Sequence, residues 1–363
     1  MKAAVLRQTR QPLSIEEVRI DKPRSREVLI RTAAVGLCHS DLHFIDGTYP
    51  AALPFIPGHE AAGIVEQVGP EVRTVKPGDH VITCLSVFCG HCEHCVTGHL
   101  SRCISGETKR ATDDEPRLSH ADKPVTQLLG LSAFAEQMLV HEHACVAVRR
   151  DMPLDRAALI GCAVMTGYGA VTHTSNVRPG DTVAVIGCGG IGLSVINGAL
   201  IAGAGRIIAV DRLPGKLAMA RAFGATDTID ASQGDAVAQV QELTAGGVHH
   251  SFEAIGLKAT VEQAWRMLRR GGTANVIGMI PPGVNIELRG TDFLAEKRIQ
   301  GSLMGSNRFT VDMPRLVDLY LQGRLHLDQM ISQRIALAQI NEGFAELQRG
   351  ELARSVIVFD GVG

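Results

Sequence analysis

The sequence predicts an α/β protein of two domains, in which a doubly wound parallel sheet is inserted into an irregular β domain. Three observations carry that prediction. The chain has 363 residues, more than one ordinary core, and its 45% apolar content is enough to bury two. From Thr182 onward, strand-like and helix-like segments alternate, the pattern of a parallel sheet wrapped by helices. Before about residue 160 the chain is a series of short β-type pieces punctuated by Gly and Pro, with no long amphipathic helix.

In order, the first region offers AAVLR, EVLIRTAAV, AAGIVEQVG, HVITCL, FAEQMLV and ACVAV as short strands. Residues 104–130 are polar and Pro-containing and read as a long surface loop. The central region opens with DTVAVI, then GCGGIG and a helix-type run, then RIIAVD, KLAMARAFGA, TDTID, AVAQVQELTA, HHSFEAIG, ATVEQAWRMLRRGG, TANVIGMI and RIQGSLMG. Helical spacing resumes at 310–323 and 339–349, and SVIVF closes the chain as a strand. The composition changes near 163 and returns near 304. The expected domains are therefore 1–163 with 304–363, and 164–303, with a cleft between them.

Composition excludes several classes of function. A net charge of −2 without blocks of like charge gives no footprint for nucleic acid or an anionic membrane, so a small neutral partner is expected. The N-terminal MKAAVLRQTRQPLSIEEVRI lacks an apolar secretory core, and a cytoplasmic location is expected. Residues 182–205 carry no charge and are long enough to span a bilayer, but GxGxxG directly after a strand pattern rejects that reading. In that fingerprint Gly187 permits a tight turn, Gly189 lets the backbone approach a pyrophosphate, and Gly192 lets helix and strand pack closely; Gly190 and Ile191 complete it. Asp211 ends the next strand at the spacing of a carboxylate that holds ribose hydroxyls. Such a carboxylate would repel a 2′-phosphate, which favours NAD over NADP, although Arg212 beside it could accommodate phosphate.

CGHCEHCVTGHLSRC places Cys89, Cys92, Cys95 and Cys103 within fifteen of the 363 residues, in a chain with nine cysteines. In a reducing compartment four thiolates at this spacing can enclose a tetrahedral Zn²⁺, which leaves no position for substrate and makes the ion structural. A redox CxxC would need a thioredoxin-like βαβ setting, and a nucleic-acid finger would need a basic helix; neither is present. Cys38 in GLCHSDLH, His59 in PGHEAAG and Cys162 in LIGCAVMTGYGA are further metal-binding types, but each alone reads more readily as a buried cysteine or a structural histidine. Only the fold could gather them.

GLCHSDLH, GHEAAGIVEQVGPEV, the four-cysteine loop, GCAVMTGYGA, GCGGIG with its following aspartate, and GELARS occur in this order over nearly the whole chain. The sequence in this respect resembles the zinc-dependent alcohol dehydrogenases of the medium-chain dehydrogenase/reductase superfamily. The resemblance implies a GroES-like catalytic domain joined to a Rossmann-type NAD-binding domain, and two zinc ions per subunit, one catalytic and one structural. By this resemblance Cys38, His59 and Cys162 hold the catalytic zinc, where the family transfers hydride from a zinc-bound alkoxide to NAD. Asp41 orients the ligand histidine and Glu60 lies behind the metal, two residues that would otherwise read as loop carboxylates. Ser40 and His43 correspond to the proton relay; without the family they would read as a helix cap and a surface histidine.

The same resemblance assigns His39 and Arg354 to the pyrophosphate, Lys216 to a ribose and Thr166 to the nicotinamide ring. It lines the substrate pocket with Tyr49, Leu85 and Ile280, suited to primary alcohols and their aldehydes, aromatic and allylic ones included. Glutathione-dependent formaldehyde dehydrogenases carry an arginine where this chain has Glu107, which demotes that substrate although Arg102, Lys109 and Arg110 are near. The alternatives are a nicotinoprotein that keeps NAD bound and a non-catalytic zinc-binding relative. A homodimer is expected, a tetramer being the other arrangement, because the apolar strands at the end of the nucleotide sheet need a cover. Cys84, Cys145 and Cys188 are expected in the core.

Overall fold

The computed structural model describes residues 1–111, 113–350 and 353–359. It has the expected fold class, and the chain divides into two compact units. One comprises Met1–Cys162, Arg308–Gly323 and the described residues from Leu327 on; the other comprises Ala163–Asn307 with Arg324–His326.

The first unit is built on a seven-stranded sheet centred on Glu27–Gly36. This strand is buried along nearly its whole length because it has neighbours on both edges. Glu60–Val68 runs antiparallel along one edge, whereas Gln137–His141 covers the first half of the other edge and Arg354–Val358 its second half. Gly36 is thereby opposite both Glu60 and Val356, so the ends of two strands meet beside the middle of a third at one corner of the sheet. The core beneath holds Ile30, Leu37, Phe55, Phe134 and Phe344. Phe134 and Phe344 pack edge to face with centroids 5.7 Å apart. Burying a ring of this size contributes roughly 2–3 kcal/mol.

Residues 104–130 differ from a simple surface loop. They include the short strands Leu118–His120, Lys123–Pro124 and Thr126–Gln127. Arg110 and Arg117 are nearly buried, and both donate to Glu27, Arg110 at 2.9 and 2.6 Å and Arg117 at 2.7 Å. Arg110 also donates to Asp21 at 2.6 Å. A buried carboxylate needs such partners, and it draws two cations of a polar segment inward.

The second unit is a six-stranded parallel sheet in the order Asp227–Asp230, Arg206–Asp211, Thr182–Ile186, Val248–Glu253, Leu268–Val276 and Arg298–Gly301. The order reverses between Thr182–Ile186 and Val248–Glu253, the point where doubly wound sheets leave a crevice beyond the carboxyl ends of their strands. The uncharged stretch is the strand Thr182–Ile186, the glycine turn and the helix Gly190–Ile201, whose residues are buried almost throughout. Among the described residues no helix is long and apolar enough to cross a membrane. Trp265, the chain's one tryptophan, is buried in this unit. Its indole N–H donates to Asp292 Oδ2 at 3.0 Å, and Lys297 Nζ lies 5.7 Å from the ring centroid.

Candidate metal centres and nucleotide site

The corner of the first unit's sheet gathers the three scattered ligand candidates. Cys38 follows the end of Glu27–Gly36, and His59 immediately precedes the strand that begins at Glu60. Cys162 lies on the π-type turn Ile160–Val164, a local widening of the helix that often accompanies functional residues. Their ligand atoms lie within 4.8 Å of one another, and all three residues are buried. His59 Nε2 is 3.2 Å from Cys162 Sγ.

Glycines make this convergence possible. A Cβ on Gly161 would lie 2.8 Å from Thr83 O, so only glycine lets the Cys162 turn approach this closely. A Cβ on Gly36 would lie 2.3 Å from Glu60 Oε1. Both residues were missed in the sequence, where the only signal is a glycine one or two positions ahead of a ligand cysteine.

His59 is aimed by Asp41, on the helix His39–Ile45. Asp41 Oδ1 accepts from Gly58 N–H at 2.9 Å and lies 3.0 Å from His59 Nδ1, and both side chains are fully buried. With Nδ1 engaged, Nε2 is left to face the sulfurs, the tautomer a metal requires. Burial disfavours the His59 imidazolium, but the Asp41 carboxylate outweighs it and holds the pKa well above the usual histidine value. Cys38 is held well below an ordinary thiol by its hydrogen bond with Cys162 and by the nearby Arg354 guanidinium. Two sulfurs and one imidazole nitrogen, one thiol already inclined to ionise, are the donor set of an open zinc site.

Arg354, expected on the pyrophosphate, is 3% exposed and lies behind this cluster. Its Nη1 donates to Leu37 O at 3.2 Å, and its Nη2 lies 3.7 Å from Cys38 Sγ and 3.4 Å from Glu60 Oε2. Glu351 and Leu352 of the GELARS motif lie outside the described residues. Ser40 is half-buried with Oγ 3.6 Å from Cys38 Sγ. His43, also half-buried, is one turn further along the same helix, its ring 5.9 Å from that of Tyr49. His39 is exposed, and Leu85 is half-buried against the core.

In the same unit Cys89, Cys92, Cys95 and Cys103 have ligand atoms within 4.8 Å of one another. The closest Sγ pairs are 3.5, 3.9 and 3.9 Å apart, against about 3.8 Å for the edge of a tetrahedron with 2.3 Å Zn–S bonds. Backbone N–H groups of His91 and Cys92 draw the Cys89 thiol down to about 6, whereas burial lifts Cys95 to about 12. The loop is tied to the core just before Cys89, where Phe88 O is 2.8 Å from His143 Nδ1 and the two rings stack at 4.3 Å. Cys84, Cys145 and Cys188 are buried, and burial raises each thiol, to about 11 for Cys84 and about 12 for Cys145.

The second unit presents the glycine turn at the carboxyl end of its sheet. Gly187 has φ +92°, a conformation side chains rarely adopt, and a Cβ on Gly192 would lie 1.7 Å from Gly187 O. Beside Gly189 there is open space, as the approach of a pyrophosphate requires. The Asp211 carboxylate is fixed by three backbone donors, Cys188 at 2.8 Å, Arg212 at 2.7 Å and Leu213 at 3.1 Å. Lys216 is half-buried one helical turn beyond, and Gly190 and Ile191 open the helix Gly190–Ile201. Thr166 is buried with Oγ1 3.5 Å from Met304 Sδ. Ile280 is half-buried, a few residues past the strand Leu268–Val276.

Comparison with known proteins agrees with this donor inventory. Residues 24–150 match the family "Alcohol dehydrogenase GroES-like domain", and residues 190–322 match "Zinc-binding dehydrogenase". The chain is 38% identical to the NDMA-dependent alcohol dehydrogenase of Amycolatopsis methanolica, over 98% of each chain. It is 36% identical to the probable S-(hydroxymethyl)glutathione dehydrogenase 1 of Schizosaccharomyces pombe, over 98% of this chain and 96% of that one. The crystal structure of benzyl alcohol dehydrogenase from Acinetobacter calcoaceticus superposes with a TM-score of 0.93 at 32% identity, covering 99% of both chains.

Proposed function

The chain belongs to the zinc-dependent alcohol dehydrogenases of the medium-chain dehydrogenase/reductase superfamily, and from that membership we propose that it interconverts primary alcohols and aldehydes with apolar bodies, using NAD in preference to NADP. The family's cofactors are zinc and NAD(P). When bound, the zinc supplies a Lewis acid that acidifies an alcohol oxygen, and the nicotinamide accepts the hydride.

The protein's own residues do the rest. Cys38, His59 and Cys162 would hold the catalytic ion and leave a fourth position open, while Asp41 holds the imidazole in the ligating tautomer. Ser40 hydrogen-bonds the alcohol oxygen and takes its proton while handing on its own hydroxyl proton, which His43, one turn along the same helix, passes to solvent. The Glu60–Arg354 pair balances charge behind the ligands. Cys89, Cys92, Cys95 and Cys103 would hold a second, structural ion. On the nucleotide side, Gly187, Gly189, Gly190, Ile191 and Gly192 receive the pyrophosphate with His39 as a further contact, Lys216 contacts a ribose, and Thr166 lies against the nicotinamide. Asp211 takes the ribose hydroxyls and repels a 2′-phosphate.

The observation that carries the proposal is the convergence of Cys38, His59 and Cys162, from three distant parts of the chain, in one buried cluster with Asp41 on His59. Aromatic alcohols are the first candidates, since a relative 32% identical acts on benzyl alcohol and Tyr49, Leu85 and Ile280 are apolar surfaces. Against a glutathione adduct, Arg110 is committed to Glu27 and Asp21, and Glu107 is paired with His91 at 3.1 Å. The test is metal analysis together with an NADH-forming assay over aromatic, allylic and straight-chain alcohols. Two zinc per subunit and turnover that disappears in Cys162→Ala are expected; normal turnover in that variant rejects the assignment.

A second reading has an observation of its own, the 38% identity to an NDMA-dependent alcohol dehydrogenase. In it the cofactor stays bound and electrons leave to another acceptor. Nicotinamide absorbance that survives desalting, with no turnover of free NAD, would select it. A homodimer in the cytoplasm completes the proposal. The edge strand Arg298–Gly301 has exposed Phe293, Leu294 and Leu303 near it in sequence, apolar surface that a second copy would cover. Light scattering reads the dimer or tetramer directly.

A further inference from the structure

Glu253 is a fully buried carboxylate that the mechanism above leaves without a task. It ends the strand Val248–Glu253, next to the strand that leads into the glycine turn. No ion pair to it is found among the described residues. Its Oε1 instead accepts three hydrogen bonds, from Ile255 N–H at 2.9 Å, Gly256 N–H at 2.8 Å and the Thr260 hydroxyl at 2.8 Å. Its Oε2 is buried with no hydrogen-bond partner. Burying a carboxylate this incompletely paired is costly, and a strand end needs no acid to stop.

What the three bonds hold is the turn 254–256. That turn is tight: Gly256 has φ +93°, and a Cβ there would lie 2.5 Å from Met279 O. It is fastened from the other side as well, because Ile277 and Gly278 N–H donate to Glu253 O at 2.9 and 3.1 Å. The turn delivers Ile255 onto the glycine fingerprint. A Cβ on Gly187 would lie 2.5 Å from Ile255 Cγ1, so the Ile255 side chain fills the space that the first glycine vacates. Ile255 is nevertheless 44% exposed, an apolar side chain displayed at the carboxyl edge of the sheet beside the dinucleotide turn.

We propose that Glu253 is a positioning residue for the cofactor: by clamping the turn 254–256 it holds Ile255 against Gly187 and shapes the apolar wall of the nucleotide site. The inference rests on the reading that GCGGIG seats NAD(P). Charge-assisted acceptance of two backbone N–H groups and a hydroxyl at one oxygen gives the turn one position, and a wall fixed before binding lowers the ordering cost of binding.

The experiment measures the dissociation constant of NADH by its fluorescence in dialysed, zinc-loaded protein, with zinc content and thermal midpoint followed in parallel. Glu253→Ala is expected to weaken NADH binding roughly tenfold while zinc stays at the wild-type level. Glu253→Gln, which keeps an acceptor in place, is expected to recover part of that loss. Ile255→Ala, which removes the delivered side chain and leaves the clamp, is expected to weaken NADH binding several-fold with little change in thermal midpoint. Wild-type affinity, within twofold, in Glu253→Ala overturns the proposal. If Glu253→Ala does not fold, the same result in Ile255→Ala overturns it. Asp211→Ala separates the two readings: if it too binds NADH as the wild type does, the cofactor seat itself is misassigned.

Discussion

Asp41 Oδ1 lies 3.0 Å from His59 Nδ1, with both side chains fully buried and the Gly58 N–H sharing the same oxygen at 2.9 Å. This contact aims the imidazole and supports its chain segment at once. Removing the charge but keeping the shape should therefore act on the metal first.

In Asp41→Asn the catalytic zinc should be held about 10–100-fold more weakly, the usual effect of losing such a partner. Chelator competition with a colorimetric zinc indicator should release one ion per subunit early and the other as in the wild type. Loss of both ions together would mean that Asp41 supports the whole unit and not one ligand.

Cys103→Ser opens a four-sulfur shell far along the chain from the reacting residues. It should lose one zinc per subunit and lower the thermal midpoint by more than about 5 °C. Calorimetry with metal analysis checks this. An unchanged midpoint would show that the loop does not depend on its ion.

Acid should weaken the first unit in two stages. Burial, together with the neighbouring His143, Arg26 and Arg117, draws His141 down to about 4, so the unfolded chain binds this proton first and stability falls as the pH drops from about 6.5 to 4. Glu142 is buried yet lies at about 2 against an ordinary 4.5, because the Arg73 amide, Arg26 and Thr74 donate to it against the cost of burial. Its contribution, about 3 kcal/mol, is complete above pH 4.5 and is lost as the pH falls toward 2. Glu142→Gln should flatten the lower stage in urea titrations run from pH 7 to 3 and, because the Glu142 charge partly supports protonation of His141, deepen the upper one.

Gly36→Ala would put a methyl group 2.3 Å from Glu60 Oε1. The Glu60 side chain must then leave its place beside Arg354, at a destabilisation of about 1–3 kcal/mol. A lower kcat in folded protein is the expected accompaniment. Unaltered turnover and stability would show that Glu60 can move without consequence.

How much of this could be read in advance depended on how far apart the partners lie. The four-cysteine loop is legible because its ligands sit within fifteen residues and their spacing states the chemistry. Cys38, His59 and Cys162 carry no local pattern, and only their surrounding motifs connected them. Arg110 and Arg117 looked like solvated charges in a polar loop because the acid that buries them, Glu27, is 83 and 90 residues away. The place of Arg354 beside Glu60 was hidden for the same reason, the two being 294 residues apart. Gly36 and Gly161 matter only through what a side chain would strike, and a sequence does not state that.

Trp265 gives the molecule a built-in optical marker. It is the chain's one indole, buried in the nucleotide-binding unit between Asp292 and Lys297, so ultraviolet-excited emission from tryptophan reports on that half alone. Circular dichroism samples both halves. If the two signals melt at different temperatures, the halves unfold as separate cooperative blocks, whereas coincident curves mean that they unfold as one.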